Sequence, residues 1–86
     1  MEKTDDLREI IKGVPYAWGQ VVKVHHIGKY HIVEHIDNMG EHLVKYAPYI
    51  DGKRAWVVWR TLEQAILYCI VQDASIVEFI LKGIAE

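Results

Sequence analysis

The chain has 86 residues, 51% hydrophobic and 26% charged, with a formal net charge of −2. That composition fits a single folded domain over 1–86 and argues against disorder, and the slight acidity supplies no long-range pull towards nucleic acid or an anionic membrane. The longest uninterrupted apolar run, 65–71, is far short of the roughly 20 residues of a membrane span.

Cys69 is the only cysteine, so no internal disulfide can form. The opening MEKTDDLREI is charged and has no apolar centre, unlike a signal peptide. Together these set the expectation of a reducing, cytoplasmic setting. All five histidines fall within 25–42, and protonating them would carry the formal charge from −2 to +3. The charge is therefore soft near pH 6, in the range where imidazole titrates.

Residues 4–12 read as a short amphipathic helix. Asp5 and Asp6 suit its N-terminal end, Leu7, Ile10 and Ile11 share a face, Gly13 can take the left-handed closing position and Pro15 stops continuation. Tyr16 and Trp18 follow as anchors of that helix against a sheet. Residues 20–27 and 30–36 read as two strands joined by Gly28 and Lys29, and glycine first favours a type II′ turn. The implied register sets Ile27 opposite Tyr30, His26 opposite His31 and Lys23 opposite Glu34 as a charge pair. One face then holds Val21, Lys23, His25, Ile27, Tyr30, Ile32, Glu34 and Ile36. This is the expected inner face; Val22, Val24, Val33, His26, His31 and His35 take the other.

A third strand is expected over 41–46. Asp51-Gly52 then suits a type I′ turn, and 54–60, with Trp56, Val57, Val58 and Trp59, reads as a fourth strand. Pro48 conflicts with that hairpin. A strict two-residue turn puts it opposite Ala55 in a hydrogen-bonded pair, where it has no N–H to give, so the expectation is that Pro48 is bulged or on an edge, or that the loop begins at Ala47. Thr61 with Gln64 forms a capping box for a helix over 61–72, and Ser75 with Glu78 forms another. Two C-terminal helices with a break near Asp73 and Ala74 follow, with one continuous, bent helix over 61–83 as the alternative.

The fold class expected is therefore α+β: a short N-terminal helix, an antiparallel sheet of three to four strands, and two C-terminal helices on one sheet face. Both helices are apolar over more of their circumference than one small sheet covers. Self-association as a homodimer is the expectation, with Ile66, Ile70, Phe79 and Ile80 in the interface.

No Ser-His-acid arrangement, phosphate loop or dinucleotide fingerprint is present, so a non-enzymatic interaction module is expected, and no cofactor. A small regulator or inhibitor carried by a mobile element is the kind of role this size suits, with another protein as a further partner. His26 and His31 are weak metal candidates, because zinc takes at least three protein ligands and no third is apparent. The alternative function is nucleic-acid binding through the sheet, with Lys45, Lys53, Arg54 and Arg60 as cations and Trp56 or Trp59 as stacking groups. Over about 20–72, the strands followed by a helix, with DGKR before the last strand and WRTLEQAI at the strand-to-helix junction, resemble the three-stranded DNA-binding domains of integrase N-termini.

Overall fold

A computed structural model of the protein describes residues 7–38, 40, 42–73 and 81–83. The fold is α+β. Five antiparallel strands, β1 (Pro15–Tyr16), β2 (Gly19–Ile27), β3 (Tyr30–Asp37), β4 (Val44–Ile50) and β5 (Lys53–Arg54), pair in chain order, and α1 (Leu62–Gln72) follows. The sheet thus has one strand more than the upper expectation, because the connector at 15–16 pairs with the start of β2.

The central hairpin has the expected register, with Ile27 opposite Tyr30, His26 opposite His31 and Lys23 opposite Glu34. Gly28 takes φ +60° at the turn, as a type II′ reversal requires. Beyond Lys23 the register shifts at a β-bulge, so that Val21 rather than Val22 meets His35. A bulge puts two residues against one and reverses the inside-outside parity beyond it. Val21 consequently leaves the face it was expected to share with Ile32 and becomes 2% exposed on the opposite side. Gly19 opens β2 at φ +149°, and a Cβ there would lie 1.9 Å from the Ile36 carbonyl oxygen, so only glycine lets the strands close at that point.

Both faces of the sheet are covered. On one, Ile32 packs with Ala65 and Cys69 of α1, flanked by Ile27, Tyr30, Tyr46, Ile50, Trp59, Leu62 and Ile66. This is the expected inner face, and it carries the helix. On the other, Val21, Val33, Ala47 and Tyr49 are buried under Leu7, Ile10, Tyr16, Trp18 and Val58.

The N-terminal helix is shorter than expected: the described part is a single 3₁₀ turn, Leu7–Glu9, and residues 4–6 lie outside the described residues. The amide of Gly13 donates to Val21 O at 2.6 Å, which draws the chain onto β2 and ends the helical path. Leu7 and Ile10 face the core, while Ile11 stays exposed.

Pro48 accounts for the largest departure from the expected strands. It lies within β4, fully buried, and pairs with Ile32 on one side. On its other side Ala55 N donates to Pro48 O at 3.0 Å, but no return bond is possible from an imide nitrogen. The Ala55 carbonyl accepts instead from Val57 N at 2.6 Å, closing a γ-turn centred on Trp56. The expected strand over 54–60 is therefore cut to Lys53–Arg54. Pairing with β4 resumes only at Trp59, which exchanges backbone bonds with Tyr46. The hairpin turn itself is as expected, with Asp51 at φ +54° and Gly52 at φ +78°.

The Thr61 cap forms, with Gln64 N donating to Thr61 Oγ1 at 3.1 Å; the Gln64 side chain reaches one residue further back than a strict capping box, its Oε1 accepting from Arg60 N at 3.2 Å. The helix ends at Gln72, where the break near Asp73 was expected; Asp73, one of two N-caps offered for a following helix, serves as the C-cap of this one. The Asp73 side chain joins the far end of the sheet, accepting a hydrogen bond from the Tyr30 hydroxyl and lying 2.8 Å from Lys29 Nζ. The second C-terminal helix was expected over residues that lie largely outside those described; 81–83 are helical.

Candidate binding cleft

The second sheet face ends in a cleft of about 380 Å³, lined by Trp18, His35, Asp37, Asn38, Lys45 and Trp56, with Ala17, Val57 and Val58. Three parts of the fold bring these side chains together. The two-residue loop between β1 and β2 carries Trp18, the ends of β3 and β4 carry His35, Asp37 and Lys45, and the γ-turn that follows Ala55 beside Pro48 carries Trp56.

Trp56 is 78% exposed, yet it is not loose. The Arg54 guanidinium carbon stacks 3.8 Å from its ring centre and 4.3 Å from that of Trp18. The two indole rings stand 6.2 Å apart at 62°. A cation between two indole faces gains from both ring quadrupoles, which holds the exposed ring in a fixed pose. Arg54 does not itself line the cleft.

The floor is polar but uncharged. His35 is 1% exposed, its Nδ1 lies 3.1 Å from the Tyr16 hydroxyl, and the Tyr16 ring meets it edge-on at 5.4 Å. Burial holds the imidazole below its ordinary pKa and Lys45 adds to this, while the Val33 carbonyl and Asp37 oppose it. The rim is an ion pair, with Lys45 Nζ donating to Asp37 Oδ2 at 3.0 Å. Asn38 braces the β1–β2 loop, its backbone N donating to Trp18 O at 3.3 Å.

Of the cations and tryptophans expected in one patch, Lys45, Arg54 and Trp56 converge here. Lys53 alternates to the other face of β5, and Arg60 is exposed at the start of α1. Trp59 turns to the helix, its ring 5.7 Å from that of Tyr68. The patch is therefore divided between the two sheet faces. Trp18, His35, Asp37 and Asn38 were not anticipated as site residues. The available signal for Trp18 was its place at the tip of a tight reversal, between Pro15 and Gly19.

The remaining candidates fall elsewhere. His26 and His31 face each other edge-on with ring centres 4.7 Å apart, and among the described residues no group of three or more possible metal ligands forms. Glu34 was expected to pair with Lys23, directly opposite; its carboxylate lies instead 2.7 Å from His25 Nε2. Cys69 is buried, and burial pushes its thiol up to about 11, which disfavours the reactive thiolate.

Of the expected interface residues, Ile66 packs inward beside the helix–sheet core, Ile70 is 38% exposed, and Phe79 and Ile80 lie outside the described residues. Among the described residues no helix is long and apolar enough to cross a membrane. No protein-family model, curated protein or solved structure matches the chain.

Proposed function

We propose that the protein is a non-enzymatic interaction module that self-associates as a homodimer through the outer side of α1. The observation that supports this reading is one stripe on that helix. Leu67, Ile70 and Val71 are 60%, 38% and 55% exposed, and their spacing sets them side by side. Ile66 belongs to the inner side, so Leu67 and Val71 replace it in the proposed interface. A contiguous apolar stripe on a small domain favours burial against a matching surface, and a two-fold axis supplies one from the same sequence. The buried thiol of Cys69 is compatible with a reducing, cytoplasmic setting.

Sedimentation velocity at micromolar concentration tests the reading. The wild-type chain is expected to run as a dimer and Leu67→Glu as a folded monomer. A wild-type monomer would remove the proposal.

A second reading, nucleic-acid binding, attaches to the cleft. Its support is the meeting of Lys45, Arg54 and an exposed Trp56 on the sheet face away from α1.

A further inference from the structure

Resting on that second reading, we infer that the cleft bordered by Trp18, His35 and Trp56 takes one unpaired nucleobase of a single-stranded nucleic acid, stacked on the exposed face of Trp56 away from Arg54. A duplex is not its ligand.

Trp56 offers a flat π surface that is 78% exposed and already immobilised by Arg54 stacked on it at 3.8 Å. A ring fixed before the ligand arrives loses little rotamer freedom on binding. Every base has a π face, so an aromatic platform accepts single strands with little regard to sequence. The cleft volume of about 380 Å³ lies in the lower part of the roughly 300–1,000 Å³ range of small-molecule sites. It has room for one base with its sugar.

The rim presents what a base edge needs: the Asp37 carboxylate as acceptor, the Lys45 ammonium as donor, and the Asn38 amide as both. The floor, His35, is neutral. Valine side chains at 57 and 58 complete an apolar wall.

Duplex DNA is read by a helix or strand ribbon entering the major groove. Here α1 packs on the opposite sheet face, against Ile32, and the cleft is a recess that paired, stacked bases cannot enter. Few cations border it, so affinity rests on stacking more than on phosphate neutralisation.

The experiment is a fluorescence-anisotropy titration of the full chain with a labelled oligothymidylate, an abasic oligomer of the same length and a hairpin duplex, each at two salt concentrations. The single strand is expected to bind roughly tenfold or more tightly than the abasic oligomer, and Trp56→Ala to lose a similar factor. Trp56→Phe should retain most of the affinity, and circular dichroism of both variants should match wild type, since the replaced ring is exposed. Lys45 is the cation that lines the cleft, and if it alone meets a phosphate the slope of log affinity on log salt is no steeper than about −0.7.

Equal affinity for the abasic strand, or an unaffected Trp56→Ala variant, would overturn the inference. Equal or tighter binding of the duplex would overturn it too, while leaving a nucleic-acid role standing. Flat traces for all three ligands at low salt would remove both, and a peptide would become the occupant to test.

Discussion

Replacing Ile32 by alanine tests whether α1 is seated where the fold places it. Ile32 is 0% exposed at the centre of β3 and packs with Ala65 and Cys69 of the helix. Truncation beyond Cβ removes buried carbon on the helix-covered side and leaves a cavity between two elements that cannot easily collapse together. The expected loss is about 3 kcal/mol, against about 1 kcal/mol for Ile32→Val. A domain of 86 residues is typically stable by about 4–13 kcal/mol, so the alanine variant gives up a large share of the total.

Urea unfolding followed by circular dichroism reads the effect. With a slope of about 1 kcal/mol per molar, the midpoint should fall by about 3 M for alanine and about 1 M for valine. All variants are compared at one protein concentration, since a dimer makes the midpoint concentration-dependent. Ile66→Ala, on the helix side of the same contact but only half-buried, should cost less than Ile32→Ala. A midpoint shift below about 0.5 M for Ile32→Ala would mean that the helix does not rest on this face, and the assignment of the two sheet faces would fall with it.

Two pH-dependent predictions accompany it. The Tyr30 phenol is raised from 10.0 to about 12, first by its hydrogen bond to Asp73 and then by burial. Because the folded value lies above the unfolded one, the associated stability is complete below pH 10 and is lost as pH climbs towards about 12. Burial raises the Tyr46 phenol as well, so an ultraviolet titration should show more than one late-ionising tyrosine, of which only Tyr30 moves back towards 10.0 in Asp73→Asn; an unmoved value would deny the contact. His31 and His35 are both held below the ordinary 6.5, chiefly by burial. The sign is then reversed: stability is complete above pH 6.5 and declines as acid protonates the unfolded chain first. Melting temperatures measured from pH 7 down to pH 5 should fall less steeply for His35→Gln than for wild type, and identical slopes would remove His35 from the account.

The local signals of the chain located most of its elements. Gly28 and Asp51-Gly52 marked two of the hairpin turns, and the Thr61–Gln64 pair marked the start of the helix, because each works through backbone geometry within a few residues. The bulge at Val22 left no such trace. Val21 and Val22 are both β-branched and suit either face, and the parity follows from how β2 closes on β3, which is tertiary information.

Pro48 was legible as a conflict but not as an outcome. Whether a missing donor bends β4, moves it to an edge or shortens its neighbour depends on which strand lies on each side, and that is tertiary information. The cleft was half legible for the same reason. Arg54 and Trp56 could be named from their chemistry, but Trp18 joins them from a loop 36 positions before Arg54. No short-range pattern encodes that meeting.

The γ-turn at Trp56 separates two duties that small proteins often combine. Its defining hydrogen bond, from Val57 N to Ala55 O, runs through the backbone beside an imino acid of the neighbouring strand and uses no atom of the indole it displays. The displayed residue is thus free to vary: exchanging it would retune what the surface selects while the scaffold below stays intact. A library randomised at this one codon should yield folded proteins of differing taste.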